Sequence, residues 1–482
     1  MVKFFKKNWI IICAEILIIV AFFTFYGKFG DSVIDSFREA YIPIRILDGK
    51  ILYKNIFTIY APFAYIFNAA LFAIFGTKLH ILYYAGLFSV MGICYLTYKI
   101  SSFFLDKLCT TGILLFLIAG LVLSSNVFNP FFPYSYGILY GLLFVLCSIY
   151  FGLKGKFPLA YLFCSLAICS KYEFILSIIP LILLSRKTNW QRNVVSFILP
   201  FLITFLPLFF MGLGFKDLIT TLNLIGLMTA TKSLGWFYSV TGLTFRFEHI
   251  PIYIINLVKF IIPVYRKLWQ EILIWIFPTV FLLFCTKFKK LNSQEKFFIT
   301  ASLLISAKVF FALTLQSYGV YFLPFGLISL FILMPEKIKK YSCAMLIIWS
   351  LIVGANNINA YTKKDITILD NTVDFVNNNT QASDRVLVYP EGLKVNVLTR
   401  RGSDDKFYSL IPLYVETFGE DLITKRLNIT KPEFIITTNY DTSAYYYHKF
   451  GNDYAVDIKK YITTNYTLIK KDDYAEYYKI KN

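Results

Sequence analysis

Histidine is scarce in this chain, with only three among 482 residues, at positions 80, 249 and 448. So wide a scatter does not give the ligand spacing of a zinc site. The motifs HExxH, GxxxxGK[ST] and GxSxG are missing, no GxGxxG opens a helix, and no two aspartates are spaced DxD. These absences exclude the common motif-bearing metalloproteases, P-loop NTPases, dinucleotide-binding enzymes and serine hydrolases.

Cysteine is present but follows no pattern. The eight cysteines lie almost all inside apolar runs, none forms CxxC, and none follows Cys343. Isolated cysteines in apolar runs behave as small hydrophobic residues. We therefore predict neither a disulfide framework nor a metal cluster.

Charged residues are also few. They make up 16% of the chain, against about a quarter of an ordinary soluble protein. Hydrophobic residues make up 57%, and the mean hydropathy is +0.60. Apolar runs of roughly 15–22 residues alternate with lysine-bearing loops. Together these features predict a polytopic α-helical membrane protein.

The formal net charge of +19 has a topological explanation. Lysine and arginine concentrate in the cytoplasmic loops of membrane proteins. No interleaved aromatic and basic motif accompanies them, so we expect no nucleic-acid partner. Six basic groups are expected on the cytoplasmic side: Lys3/Lys6/Lys7, Lys99/Lys107, Lys154/Lys156, Arg186/Lys187/Arg192, Lys287/Lys289/Lys290 and Lys337/Lys339/Lys340.

The positions of these basic groups determine the predicted topology of two ambiguous segments. If residues 59–76 crossed the membrane, Lys99 and Lys107 would be delivered to the outside, so we predict a membrane-surface or re-entrant helix there. Residues 157–184 have basic groups at both ends. They are therefore expected to go out and return as two short helices, with SKYE at 170–173 forming the turn in a water-filled outer recess.

The full topology follows from these choices. With both hairpin limbs counted we expect about eleven membrane helices, a cytoplasmic N-terminus and an extracytoplasmic C-terminus. The other spans are expected at roughly 9–26, 81–98, 110–125, 136–152, 194–211, 271–285, 297–313, 321–334 and 341–356.

Composition changes after Asn356, and no later apolar run is long enough to span a membrane. DRVLVYP, PEFIITTN and YTLIKK predict strands, whereas DITILDNTVDFVNNN, ETFGEDLITKRLN and DYAVDIKKYITTN predict helices. We therefore expect a transmembrane domain over 1–356 and a small extracytoplasmic α/β domain over 357–482.

The first outer loop, residues 27–80, carries the densest charge. Apolar residues recur there three and four apart, while Asp31, Asp35 and Glu39 lie on a neighbouring face with Arg38 among them. This pattern predicts a helix in the plane of the membrane surface, with its carboxylates toward the outer compartment and Pro43 bending or ending it. An interfacial helix with solvated charges and no chemistry would show the same pattern.

The order of residues in this loop resembles the first outer loop of GT-C membrane glycosyltransferases, among them protein O-mannosyltransferases and lipid A aminoarabinose transferases. In that superfamily an acidic residue lies about fourteen residues before a glycine and an LY pair, and a PPL.Y-like segment and an apolar helix ending in FG follow. Asp35 and Gly49 have this spacing here, and LY at 52–53, APF at 61–63 and FG at 75–76 complete the order. LAICSKYEF and VLVYPEGLKVNVLTRRGSDDKFYSLIP are similar to later segments of the family.

The resemblance implies inverting transfer of a sugar from a polyprenyl-phosphate donor to an acceptor hydroxyl on the outer membrane face. The acceptor would be a lipid, a glycan or a protein. The resemblance assigns Asp35 as the base, because a hydroxyl is a poor nucleophile that gains from a carboxylate. The departing polyprenyl phosphate needs positive charge instead, for which Arg38, Lys54 and Lys171 are the candidates.

Other charged residues carry open alternatives. Asp31 and Glu39 are the reserve acids, and Glu39 alternatively binds substrate by orienting the acceptor or pairs with Arg38. Lys232 and Arg246, in the outer segment 212–270, either cap the cavity or are solvated loop charges.

Three further features stay equally open. Lys171 is either a phosphate ligand or the partner of Glu173 in a local ion pair. Lys308 lies inside an apolar run and either snorkels outward or faces the cavity. PEG at 390–392 and RR at 400–401 either bind an acceptor glycan or serve turn and surface roles.

One departure from the family bears on cofactors. Many members carry aspartate where this chain has Asn55, so the second carboxylate of a metal site is missing. The sequence therefore supports no cofactor, and a divalent metal stays open.

Two other classes compete with the transferase. A transporter or lipid-glycan flippase would usually show paired internal repeats, which this chain lacks. A catalytically inactive, acceptor-binding relative of the transferases is the other alternative. In each case we expect an integral protein of a bacterial inner membrane, in contact with membrane lipids.

Overall fold

The computed structural model describes residues 2–31, 33, 35–125, 129–186, 188–241, 268–311, 323–403 and 406–481. Most of these residues are helical, and a small sheet lies in the C-terminal part. Within these ranges, four helices have the length and composition to cross a membrane: Leu79–Phe104, Tyr136–Leu153, Trp190–Phe210 and Glu336–Thr362. Shorter apolar helices accompany them, which include Asn8–Thr24, Phe63–Phe75 and Phe157–Ser170.

The helical part has the following elements in chain order: α1 Val2–Thr24, α2 Asp35–Leu47, α3 Phe63–Phe75, α4 Leu79–Phe104, α5 Lys107–Leu117, α6 Tyr136–Leu153, α7 Phe157–Ser170, α8 Ile178–Leu184, α9 Trp190–Phe210, α10 Phe215–Thr229, α11 Lys232–Thr241, α12 Leu268–Lys287, α13 Ser293–Phe311, α14 Leu323–Leu333 and α15 Glu336–Thr362. A π-helical turn, Ile118–Val122, continues α5. Each predicted span has a helix at its place. The sequence predicts no element for α10 and α11, which are less apolar than a span.

The predicted hairpin is present as α7, a 3-10 helix at Tyr172–Ser177, and α8. Its limbs run antiparallel, since the Tyr161 hydroxyl lies 2.9 Å from the Ser185 hydroxyl while Cys164 meets Ser177 nearer the turn. The turn is held against α6 by a close backbone approach. A Cβ at Gly137 would lie 2.5 Å from the Ser170 carbonyl oxygen, so only glycine fits there.

The predicted absence of disulfides is wrong for one pair. Cys109 at the start of α5 and Cys343 on α15 are joined by a disulfide, with a sequence separation of 234 residues. Such a separation has no local motif, so spacing rules do not reveal it. The side chain of Asp106 caps the same end of α5 by accepting a 2.9 Å hydrogen bond from the Cys109 backbone N–H.

The C-terminal part holds a four-stranded mixed sheet in the order β1-β2-β4-β3. β1 and β2 are parallel, whereas β4 pairs antiparallel with both β2 and β3. All three predicted strands are present, and the sequence missed β4 and the helix α17. The elements are α16 Asp370–Asn379, β1 Val386–Tyr389, α17 Leu393–Thr399, α18 Pro412–Phe418, α19 Glu420–Thr430, β2 Phe434–Thr438, α20 Val456–Asn465, β3 Tyr466–Lys471 and β4 Ala475–Ile480.

Parts of the C-terminal region share their apolar cores with the first loop. Leu393 and Val397 of α17 belong to the same buried cluster as the helical part. Val33 packs in a second cluster with strand residues such as Val388. Phe57 lies in a third, where its ring is 4.8 Å from that of Phe418. The first loop is therefore enclosed between the helices and the sheet.

Candidate active site

The helix α2 is buried along most of its length. Its residues 36–43 are all buried, including the charged Arg38 and Glu39. The prediction that its carboxylates face the outer compartment is therefore wrong for Glu39, because this side chain packs against Tyr65 and Tyr136 of the helical part. The position of α2 in the plane of the membrane surface stays a prediction. Pro43 does not end the helix, which continues to Leu47.

Asp35 is the first residue of α2 and remains the accessible acid of this helix. Its side chain is 34% exposed, while that of Arg38 is only 8% exposed. Arg38 donates from Nη1 to Asp35 Oδ1 at 2.6 Å, and within the described residues Oδ2 accepts no hydrogen bond. One carboxylate oxygen is thus held in place, and the other is available to a ligand.

Arg38 is fixed on several sides. Nη2 donates to the Tyr134 carbonyl at 2.7 Å, and the guanidinium carbon lies 4.4 Å above the centre of the Tyr60 ring. Nε is buried and makes no hydrogen bond within the described residues, although it lies 3.5 Å from Glu39 Oε1. Burial works against the charge, but the neighbouring phenols and carboxylates raise the pKa of Arg38 overall. Arg38 is therefore a constrained, permanent cation.

Glu39 points away from solvent into the helical part. Its carboxylate accepts from the Tyr65 hydroxyl at 3.1 Å and from the Tyr136 backbone N–H at 2.8 Å. Burial raises the pKa of Glu39 to about 7, and the Arg38 charge with these two hydrogen bonds opposes that rise. The alternative in which Glu39 pairs with Arg38 fits this geometry.

Lys171, at the hairpin turn, reaches the same place from another element. It is buried, and its Nζ donates to the Tyr134 hydroxyl at 3.3 Å and lies 3.8 Å from Glu173. Its ammonium is also 5.8 Å from the centre of the Tyr60 ring. Arg38 and Lys171 thus converge on the same two tyrosines, which the sequence places 74 residues apart.

Lys54 has a different surrounding. Its Nζ donates to the Gly212 carbonyl at 2.9 Å, at the turn between α9 and α10. Asn55 closes a tight turn, because its Oδ1 accepts from the Ile51 backbone N–H at 3.0 Å. The amide side chain at this position therefore stabilises the backbone of the loop.

Asp31 lies at the entrance of α2. Its Oδ1 accepts from the Val33 backbone N–H at 2.8 Å, and its own N–H donates to the Ser36 hydroxyl at 2.9 Å. Lys364, just after α15, donates to the Gly30 and Ser125 carbonyls. Burial lowers the pKa of Lys364 to about 8, and the Asp31 charge opposes this.

The remaining predicted residues lie elsewhere. Lys232, at the start of α11, is exposed and has its ammonium 3.4 Å from the centre of the Tyr446 ring. It therefore contacts the C-terminal part. Arg246 lies outside the described residues, as does the side chain of Lys308.

Sequence reasoning undervalued Glu391, which directly follows Pro390 after β1. It is only 5% exposed, and the Ser409 hydroxyl donates to its Oε1. Burial raises the pKa of Glu391 to about 8, and the charge of Asp35 adds to the rise while that of Arg38 opposes it. A buried acid electrostatically coupled to the first loop was hidden because no local pattern links the two segments.

Tyrosines complete the site. Burial raises the pKa of Tyr440 and of Tyr445, and the charges of Asp35 and Glu391 raise both further. Tyr60 has its pKa raised to about 12 by burial, a rise that the Arg38 charge limits. Among the described residues, no three histidine, cysteine, aspartate or glutamate side chains come together as a metal site. These residues therefore offer a divalent metal no built site.

Comparisons with known proteins support the fold. No protein-family model matches the chain, and no curated protein is significantly similar to it in sequence. Solved structures do match. The structure of ArnT from Cupriavidus metallidurans bound to undecaprenyl phosphate is 12% identical, with a TM-score of 0.57 and coverage of 98% of both chains.

A second match is the oligosaccharyltransferase of Archaeoglobus fulgidus in the apo form. It is 10% identical, with a TM-score of 0.52, and the alignment covers 90% of this chain and 70% of that one. The same enzyme tethered with an acceptor peptide matches with a TM-score of 0.51. Both proteins are GT-C glycosyltransferases. The chain therefore has the fold of these two enzymes, which is the fold that the first-loop resemblance predicts.

Proposed function

We propose that this protein is a membrane glycosyltransferase that moves a sugar from a polyprenyl-phosphate donor to an acceptor hydroxyl at the outer membrane face, with inversion. One observation carries the proposal: a partly exposed Asp35 is held by Arg38 beside Lys171, within a chain of GT-C fold. An acid for the nucleophile and two cations for the leaving phosphate thus lie in one place.

The chemistry follows from these positions. Asp35 accepts the proton of the acceptor hydroxyl through Oδ2 while Arg38 holds Oδ1. The acceptor oxygen bonds to the anomeric carbon, and the bond from that carbon to the phosphate oxygen breaks with its electron pair. Arg38 and Lys171 stabilise the departing phosphate. No general acid is required, because polyprenyl phosphate leaves as a stable anion.

The roles of the other residues follow from their contacts. Glu39, Tyr65 and Tyr136 hold Arg38 in place from the helical side. Lys54 ties the first loop to the turn before α10, and we assign it no contact with the phosphate. We propose that the C-terminal region lies on the outer side, where it covers the site.

The test uses the full-length protein in liposomes with a panel of undecaprenyl-phosphate-linked radiolabelled sugars. The wild type is expected to consume at least one donor and release undecaprenyl phosphate. Asp35→Asn should slow transfer by roughly 10²–10⁴-fold, the usual contribution of a general base. Asp48→Asn is the matched control, because Asp48, which directly follows α2, forms the corresponding pair with Arg45 at 2.9 Å.

Two results would overturn the proposal. One is a folded wild type that consumes no donor of the panel. The other is near-wild-type transfer by a folded Asp35→Asn protein. Net movement of labelled lipid across the bilayer without cleavage of the donor would favour the flippase alternative.

A further inference from the structure

The sheet presents a defined edge to the first loop. β1 and β2 are parallel, so their carboxyl ends meet at one edge, and ligands of α/β sheets commonly bind at such an edge. Glu391 follows β1 there, and Tyr440 follows β2. The Thr438 hydroxyl joins the two ends by donating to the Glu391 carbonyl at 3.0 Å.

This edge lies against the entrance of α2. Tyr440 packs in the same apolar cluster as Val33, only two residues before Asp35. Residues on both sides of Glu391 take part as well, since Val388 belongs to that cluster and Leu393 to the core of the helical part. Glu391 is thus fixed at the boundary between the sheet and the candidate catalytic acid.

The Glu391 carboxyl is oriented but not saturated. Ser409 donates to Oε1, and Oε2 accepts no hydrogen bond within the described residues. Tyr445, on the loop after β2, stacks on Phe237 of α11 at 5.1 Å between ring centres. A carboxyl group beside half-buried tyrosine rings provides hydrogen bonds for sugar hydroxyls and apolar surface for a sugar face.

The described basic residues that flank Glu391 are directed away from this edge. Lys394 donates to the Ile366 and Ile368 carbonyls and to Asp370, and Arg401 donates to Thr380. Beside Asp35, by contrast, Arg38 and Lys171 supply positive charge. In an inverting displacement the nucleophile and the leaving group lie on opposite faces of the anomeric carbon, so we place the acceptor at this edge and the phosphate at the two cations.

We infer that the carboxyl edge of β1 and β2, with Glu391 and Tyr440, is the acceptor subsite, and that it takes a neutral or amino sugar. A phosphorylated acceptor would meet the charge of Asp35, and the described basic side chains that flank Glu391 are bound elsewhere. This inference rests on the proposed transferase function and specifies its acceptor class.

The binding test is independent of catalysis. Full-length protein in nanodiscs is examined by saturation-transfer NMR with the methyl glycosides of glucose, galactose, mannose, N-acetylglucosamine and glucosamine, and with glucose 6-phosphate. At least one neutral or amino glycoside should receive saturation, and glucose 6-phosphate should receive less. Glu391→Gln and Tyr440→Leu should each weaken the signal at least threefold.

The matched control is Glu433→Gln. Glu433 precedes β2 at the opposite edge of the sheet, where it pairs with Arg385 at 2.6 Å. This variant should bind glycosides as the wild type does. A kinetic arm adds the preferred glycoside to the donor assay, in which Glu391→Gln should raise the acceptor KM more than it lowers kcat.

Failure of this inference is distinguishable from failure of the proposed function. The subsite is overturned if glucose 6-phosphate binds best, if no glycoside of the panel binds, or if folded Glu391→Gln and Tyr440→Leu proteins bind as the wild type does. A peptide acceptor used in preference to all glycosides would overturn it too. Donor consumption by the wild type reports on the transferase function in every case.

Discussion

The two ends of α2 carry the same kind of ion pair in different surroundings. Asp35 pairs with Arg38 at 2.6 Å near the N-terminus of the helix, and Arg45 pairs with Asp48 at 2.9 Å near its C-terminus, each three residues apart. Sequence spacing does not distinguish them. Both arginines are largely covered, and Asp48 is the more exposed acid.

What differs is the set of groups around each pair. Arg45 lies under the C-terminal backbone, so closely that a Cβ at Gly402 would be 2.4 Å from its Nη1. The Asp35–Arg38 pair instead has Tyr60, Tyr134 and Lys171 beside it. A salt bridge between exposed groups contributes little, whereas a pair among converging charges has a chemical use. The environment therefore separates a docking contact from a candidate active site.

The variants Arg38→Lys and Arg45→Lys give the strongest test of whether the two ion pairs differ in function. Lysine keeps the charge of Arg38 but does not reproduce the fork that reaches both Asp35 and the Tyr134 carbonyl. Losing a hydrogen bond to a charged group costs about 1.5–3 kcal/mol, so kcat/KM for sugar transfer should fall roughly 10–100-fold. Arg45→Lys should stay within about threefold of the wild type, because we assign it no contact with substrate.

The measurement is donor consumption by each variant at matched thermal stability. Equal losses in the two variants would mean that both pairs only hold the fold. Retained activity in Arg38→Lys would remove the guanidinium from the phosphate site.

The next prediction compares Lys171 and Lys54, which the sequence makes equal candidates for binding the donor phosphate. Lys171 is buried beside Tyr134, whereas Lys54 is exposed and bound to the Gly212 carbonyl. Lys171→Met should raise the donor KM about tenfold, since a charge-assisted contact with the phosphate is lost. Lys54→Met should change it less than about twofold. Donor titrations with both proteins measure the difference, and the reverse order would restore Lys54 to the phosphate site.

The sequence reveals much of the fold because apolar runs and basic loops leave few topologies. Every predicted span contains a helix, and three strands of the sheet are where the alternation predicts them. The sequence does not predict β4, because AEYYKI is recognisable as a strand only by its pairing with β2 and β3. The sequence does not predict α10 and α11, because their buried residues, among them Met228 and Leu234, pack on the distant Ile411 and Leu413 of the C-terminal part.

The residues of the candidate site also differ in how far the sequence predicts them. Asp35 and Arg38 are neighbours on one helix, so their spacing brings them together without knowledge of the fold. Lys171 and Glu391 reach the site through contacts between distant segments, and for Glu391 the local motif PEG leaves a turn role and a binding role equally open. The sequence does not reveal which surfaces pack against α2. Those surfaces determine the burial of Glu39 and the pKa shifts that follow from burial.

The pH dependence of stability tests the burial of Glu391. Its folded pKa of about 8 lies above the ordinary glutamate value of 4.5, so the folded state binds the proton more tightly. The associated stability is complete below about pH 4.5 and is lost as the pH rises through about 8. The midpoint of thermal unfolding should fall by several degrees over this range. Glu391→Gln should flatten the fall.

The control residue, Glu433, has a pKa shift of the opposite sign. The hydrogen bonds and charge of Arg385 lower the pKa of Glu433 although partial burial opposes them, so its contribution is lost as the pH falls. Glu433→Gln should therefore alter the acidic side of the profile and leave the alkaline side unchanged. An alkaline side unaffected by Glu391→Gln would contradict the buried, protonated acid.

The smallest expected effect concerns the Tyr65 hydroxyl, which donates to Glu39 of α2 at 3.1 Å in a buried site. Tyr65→Phe should cost about 1–2 kcal/mol in the free energy of unfolding, because a buried carboxylate loses a donor. Denaturant unfolding in matched detergent measures this cost. An unchanged free energy of unfolding would show that the hydrogen bond does not stabilise the buried Glu39.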